Sequence, residues 1–224
     1  RSPSRGLGDV YKRQPLDTYI FENNFFRISE SGFWKLTKES EIKASSKIEN
    51  VYIDSPYFTL IPNELASHIP LEEKKRFISD QEMDLNYLED KISKYQTMIF
   101  WGIDKEILSA IKKKFPTANL KHFCESIILS SNFDFKLKYF LGRNCIYIAS
   151  FNNKKLILVN RYEIENSEDS FYFLLSVIKE SKFINEPFNI EYCGVEDKTL
   201  SSKIKDIFPN IEIEYDQQSN FKKL

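Results

Sequence analysis

Residues 102–116 read GIDKEILSAIKKKFP and residues 194–209 read GVEDKTLSSKIKDIFP. At an offset of 93, positions 104–116 match 197–209 at seven of thirteen places: Asp104/Asp197, Lys105/Lys198, Ser109/Ser202, Ile111/Ile204, Lys112/Lys205, Phe115/Phe208 and Pro116/Pro209. Each copy reads as a glycine, an Asp N-cap, an amphipathic helix and a proline stop. The inward faces are expected to be Ile107, Leu108, Ile111 and Phe115 in the first copy. In the second they are Leu200, Ile204, Ile207 and Phe208. Gly102 and Gly194 align one residue out of register. Convergence on a common strand–turn–helix unit is the bland explanation, so the surrounding order decides.

That order repeats. In the first half, FFRISE and FWKLT flank Ser31-Gly32 and read as a hairpin. VYID (51–54) and YFTLIP (57–62) look extended, and PLEEKKRF from Pro70 opens a helix with acids first and bases after. Leu85, Leu88, Ile92 and Tyr95 suit a second helix over 83–95. TMIFWG (97–102) reads as a buried strand before the repeated helix, and a short strand is expected near 119–123. In the second half, CIYIASF (145–151), an Asn152-Asn153 turn and KKLILVN (154–160) form the clearest hairpin. A helix over 167–181 with Ser167 as cap follows, facing Phe171, Leu174, Leu175 and Ile178 inward. NIEYCG (189–194), the repeated helix and IEIEY (211–215) close the chain. A hairpin meander followed by alternating helices and strands is the layout of a ribonuclease-H-like unit. Two in tandem make an actin-like ATPase fold: an α/β protein with mixed sheets, one lobe over 15–120 and the other over 121–224.

Residues 1–14 are set aside. RSPSRGLG is rich in Arg, Gly and Ser, and DVYKRQ (9–14) back-translates to GAT GTG TAT AAG AGA CAG, a transposase mosaic end used in sequencing-library preparation. The stretch is read as an artefactual leader, the rival being a basic leader that lacks an apolar segment. It carries +3 (Arg1, Arg5, Lys12 and Arg13 against Asp9), so the formal net charge of −1 becomes −4 for the remainder. A mildly acidic chain is a poor general binder of phosphate backbones, so a nucleic-acid-associated factor ranks last. No apolar run approaches the ~20 residues of a spanning helix, and no membrane association is expected. Cys124, Cys145 and Cys193 are odd in number and lack a CxxC pair, which points away from disulfides and zinc and toward the cytoplasm.

FRISESGFWKL, YFTLIPNELA and especially NRYEIENSEDSFYFLL (160–175) resemble the uncharacterised bacterial domain-of-unknown-function family 3822. The likeness covers essentially everything after residue 14. It implies a duplicated actin-like, ribonuclease-H-like fold with no established activity and no catalytic residues to carry over. The family begins earlier and has Asp-Gly in the first hairpin, where this chain has Ser31-Gly32.

An actin-like ATPase needs two phosphate-binding hairpins with small residues and carboxylates. Glu30, Ser31 and Gly32 are the weak candidates in the first hairpin. Ser150-Phe151-Asn152-Asn153 in the second has neither carboxylate nor glycine. There is no Walker A or G-x-G-x-x-G pattern. A ribonuclease-H-like nuclease needs converging carboxylates on two metals. Asp54, Glu30 and Glu191 lie on or beside strands, but read more simply as exposed faces or caps. His68, and His122 beside Cys124, lack further ligands and read as structural or surface residues. Lys112–Lys114 complements a helix C-terminus. The expectation is a non-catalytic pseudo-ATPase that works through another protein, with no cofactor and no metal. The alternative is a nucleotide switch or ATPase using ATP and Mg2+ in the cleft between lobes.

Overall fold

The structure is a computed structural model. It describes residues 19–22, 25–30, 33–38, 50–79, 83–130, 137–142, 144–181, 188–194 and 197–215, with side chains from residue 50 onward. Residues 1–14, Ser31 and Gly32 lie outside them. The fold is mixed α/β with three sheets.

The first sheet has the order β3-β2-β1-β4-β8, built from β1 (Tyr19–Glu22), β2 (Phe25–Glu30), β3 (Phe33–Lys38), β4 (Asn50–Ile53) and β8 (Asn119–His122). The three N-terminal strands form an antiparallel meander, and β4 and β8 add in parallel. The second sheet has the order β11-β10-β9-β12-β13, from β9 (Leu137–Leu141), β10 (Cys145–Asn152), β11 (Lys155–Glu163), β12 (Asn189–Gly194) and β13 (Glu212–Tyr215). Its strand senses are the same: an antiparallel meander, then two parallel additions. The sequence reading missed the opening strand of each meander. LKYFL at β9 is buried throughout, so it lacks the alternation that marks a strand with one wet face.

The third sheet, β5-β7-β6, consists of β5 (Phe58–Pro62), β6 (Leu85–Ile92) and β7 (Thr97–Asp104), all antiparallel. With α1 (Asn63–Ala66) and α2 (Leu71–Arg76) it stands between β4 and β8 in the chain. Two expectations are corrected here. The helix expected over 83–95 is strand β6. Leu88 and Ile92 are four apart, a spacing that suits one face of a helix and one face of a strand equally. On β6 they join one core, while Tyr87 turns to the other side and stacks on Phe100 at 5.6 Å. The second correction concerns the repeat. β7 belongs to this third sheet, whereas β12 lies inside the second sheet, so Gly102 and Gly194 occupy unlike places.

From the helices onward the two stretches have similar local structure. α3 (Lys105–Lys114) and α6 (Lys198–Ile207) are capped by Asp104 and Asp197 and run into β8 and β13. They end alike, at Phe115 (φ −128°, ψ 69°) and Phe208 (φ −123°, ψ 75°). The Phe115 N–H donates to Ile111 O at 2.8 Å and the Phe208 N–H to Ile204 O at 2.9 Å. Leu108 and Ile111, and Leu200 and Ile204, are buried as expected, but Ile207, expected to face inward, is half exposed.

The β10–β11 turn is Asn153-Lys154, one residue later than expected. Both have positive φ (48° and 64°), the backbone a tight two-residue hairpin demands. α5 (Ser167–Glu180) is capped by Asn166 rather than Ser167 and buries Ser170, Leu174, Val177 and Ile178. α4 (Phe123–Ser130) was not anticipated: it is short, and Phe123–Ile128 are all buried, leaving no polar face to betray its period. It carries the chain from the first sheet to the second. One core runs across both sheets, from Val51 and Ile53 through Phe123, Ile127 and Ile128 to Phe140, Tyr147, Ala149 and Val159.

Candidate functional site at the junction of the sheets

The C-terminal ends of parallel strands are where α/β sheets usually receive ligands. β4 and β8 end together, with Ile53 paired to His122. The chain leaves β4 through Asp54 and Ser55, and both side chains are spent on holding the fold. Asp54 reaches across to the second sheet. Its Oδ1 accepts from the Tyr147 hydroxyl at 2.6 Å and from Arg161 Nε at 2.7 Å. Its Oδ2 accepts from Arg161 Nη2 at 3.2 Å and from the Cys145 thiol at 3.9 Å. The Arg161 and Asp54 side chains are 6% and 4% exposed, so this is a buried two-pronged ion pair joining β11 to the end of β4. Burial alone would lower the guanidinium pKa. Hydrogen bonding and charge from Asp54 outweigh it and hold Arg161 above its ordinary value. Burial, then the Asp54 charge, push the Tyr147 hydroxyl up, which keeps it a donor.

Ser55 fixes the other side. Its Oγ donates to Gly102 O at 2.7 Å on β7, and its carbonyl lies 2.9 Å from His122 Nε2. His122 is fully buried among Phe58, Trp101 and Tyr147, with Nδ1 2.9 Å from Cys124 Sγ. Burial lowers its pKa to about 4, and burial raises that of Cys124 well above the usual thiol range. The pair is a neutral imidazole beside a neutral thiol, the reverse of an activated Cys–His nucleophile. Asp90 on β6 accepts from the His122 backbone N–H at 2.7 Å. Burial raises its pKa to about 6, against that hydrogen bond. His68 is exposed on the surface.

The carboxylates weighed for a metal site do not form one. Glu191 on β12 pairs with Lys138 on β9 at 2.9 Å, the lysine fully buried and the glutamate nearly so. Asp54 and Glu191 are thus each neutralised by a buried cation of their own, whereas a metal cluster needs unpaired carboxylates facing one point. Among the described residues no group of three or more His, Cys, Asp or Glu is placed to hold a metal. Glu30 ends β2 opposite Phe33.

Helix N-termini are the other source of phosphate binding. Asp104 accepts from the Glu106 and Ile107 N–H groups at 2.7 and 3.1 Å on α3. On α5, Asn166 accepts from Glu168 and Asp169, while Asp169 accepts from Glu165 and Asn166, a complete capping box. On α6, Asp197 accepts from Leu200 N at 2.9 Å and from the Ser167 hydroxyl at 2.9 Å. The donors a phosphate would use are taken, in two of the helices by carboxylates that would repel it. The second hairpin is likewise anchored: Ser150 bonds Ser181 at 2.9 Å, and Phe151 is buried against Tyr95.

Sequence reasoning singled out Asp54 but not its partners. The available clue was Arg161, a cation late in an apolar strand, and Tyr147 in the apolar first part of β10.

Comparison with known proteins agrees with this architecture. A Bacteroides thetaiotaomicron VPI-5482 protein with an actin-like ATPase fold and unknown function matches with TM-score 0.73 and 22% identity, over 97% of each chain. A PilM–PilN type IV pilus biogenesis complex matches with TM-score 0.56 and 9% identity, over 89% of this chain and 88% of that one. No curated protein matches the sequence. The family described as protein of unknown function (DUF3822) matches residues 30–211. The chain therefore has the actin-like ATPase fold and belongs to the family of unknown function DUF3822.

Proposed function

We propose that this protein is a non-catalytic, pseudo-ATPase form of the actin-like fold that acts by binding another protein. The observation that carries the reading is the junction itself. Asp54, Arg161 and Tyr147 consume one another's hydrogen-bonding capacity at the strand ends, and the His122 ring is spent on the Ser55 carbonyl and the Cys124 thiol. A nucleotide held there would have to break a buried ion pair, and helices α3, α5 and α6 offer it only occupied N-termini.

In this reading the chain is a duplication of ribonuclease-H-like lobes, residues 15–120 and 121–224. The shared strand order of the two five-stranded sheets and the matched ends of α3 and α6 support it. The third sheet is then an insertion in the first lobe alone. The three buried cysteine thiols suit a reducing compartment, and we place the protein in the cytoplasm. No helix among the described residues is long and apolar enough to cross a membrane. The occurrence of this fold in a pilus biogenesis complex supports a protein partner.

Calorimetric titration with Mg-ATP and Mg-ADP, together with a phosphate-release assay, tests the reading. It expects neither saturable heat nor turnover. Micromolar binding lost in Glu30→Gln or Ser31→Ala would instead establish the nucleotide switch.

A further inference from the structure

Helix α2, LEEKKR, inverts the usual pattern of burial. Leu71 is 52% exposed, and the one residue the helix buries is Lys74. A lysine there carries a desolvation cost that an apolar side chain would avoid. Its ammonium has three donors, and among the described residues its one hydrogen-bond acceptor is Glu89 Oε1 at 2.8 Å. The Phe100 ring lies 5.8 Å from the nitrogen. The lysine side chain is only 10% exposed, whereas that of Glu89 is 43% exposed. Glu89 is solvated without the lysine, so the ion pair alone does not account for a buried ammonium.

Lys74 lines a cavity of about 500 Å³ between α1, α2 and the third sheet, a size that suits a small molecule. Asn63, Ser67 and Lys91 supply its other donors, and among the described residues none of these three side chains has a hydrogen-bond or ionic partner. Lys74 and Lys91 against Glu89 leave the lining with a net charge of +1. Ala66, Ile69 and Met98 form an apolar wall, with Met98 opposite Lys91 in the β6–β7 ladder.

We propose that this cavity binds a small organic carboxylate. Lys74 and Lys91, with the Ser67 hydroxyl and the Asn63 amide, hold its oxygens, and its hydrocarbon part lies against Ile69 and Met98. One negative charge balances the lining. A phosphate monoester, at about −1.5 to −2, would set excess charge beside Glu89. A bare inorganic ion would leave the apolar wall unused. The site belongs to α1, α2 and the third sheet, so it stands independently of the reading of the junction.

Titration of the full chain with sodium butyrate, followed by the methyl NMR signals of Ile69 and Met98, provides the test, with 1-butanol and inorganic phosphate as parallel probes. Butyrate is expected to give a saturable shift in the millimolar range, phosphate a weaker one and butanol none. Lys91→Met removes the unpaired cation from an exposed position and is expected to weaken butyrate about fivefold. Lys74→Met is expected to weaken it about tenfold or more. The same variant should keep or raise the urea midpoint, because it removes a buried charge and leaves Glu89 solvated. A Lys74→Met protein that loses stability but binds butyrate like the wild type overturns the proposal and makes the lysine a part of the fold alone. Should that variant fail to fold, the Lys91→Met arm decides by itself. No saturable shift with butyrate, an equal shift with butanol, tighter binding of phosphate, or binding indifferent to Lys91→Met each overturns it as well.

Discussion

Replacing Asp54 by Ala removes the anion from the ion pair and leaves the Arg161 guanidinium, 6% exposed, with no carboxylate on its Nε. Glu163 touches only the far nitrogen, at 3.5 Å, and is itself 81% exposed, so it compensates little. The Tyr147 hydroxyl loses its acceptor in the same step. Breaking one side of a buried pair typically costs about 3–5 kcal/mol, the orphaned hydroxyl placing this case in the upper half of that range. For a chain of this size each kcal/mol moves Tm by about 2–4 °C, so a fall of roughly 8–20 °C is expected. Arg161→Met on top of Asp54→Ala removes the stranded charge while keeping bulk, and is expected to recover more than half of the loss. Urea unfolding of the two single variants and the double, followed by circular dichroism, gives the coupling energy. A value of about 2 kcal/mol or more is expected. A loss under about 1 kcal/mol for Asp54→Ala, or strictly additive variants, would refute the claim that this pair joins the sheets.

Asp90 has a folded pKa of about 6, above its ordinary 3.8, so its contribution to stability is full below about 3.8 and is lost as pH rises through 6. His122 has a folded pKa of about 4, below 6.5, so its contribution is present above 6.5 and is lost as pH falls through 4. These slopes oppose each other over one window. Relative to wild type, Asp90→Asn should therefore lose about 3 kcal/mol between pH 6.5 and 4 in denaturant titrations, and a pH-independent difference would contradict it. The two glycines of the repeat should respond unequally to alanine. At Gly194, φ is +95° and a Cβ would sit 2.3 Å from Leu141 O, so about 3 kcal/mol or more is expected. At Gly102 the nearest atom is the movable Leu85 Cδ1 at 2.8 Å, so about 1 kcal/mol is expected, and equal losses would reinstate the two positions as equivalents.

The parts of the fold legible in the sequence were those whose physics is local. The caps Asp104 and Asp197, the Phe-Pro stops and the apolar stripes of α3, α5 and α6 can each be read within a dozen residues. The strand β9, the helix α4 and the strand β6 escaped because their character is set by what covers them. β9 is buried along its length, α4 is buried from Phe123 to Ile128, and β6 shares its spacing with a helix. Within the repeated stretches the Asp caps and the helices are as expected, apart from the exposed Ile207. The repeat misled at Gly102, because β7 belongs to the three-stranded sheet whereas β12 lies inside the second five-stranded sheet. At the junction, Asp54 was visible as a carboxylate after a strand, but its partners lie 93 and 107 residues away, and no local pattern links them.

The central claim is that the junction between the sheets is continuous core and not an open cleft. Hydrogen exchange of the backbone amides of Tyr57, His122, Cys124 and Tyr147 measures it directly, with and without millimolar Mg-ATP. These amides should exchange only through global unfolding, at rates that nucleotide leaves unchanged. Exchange through a cheaper opening, suppressed when Mg-ATP is added, would contradict it.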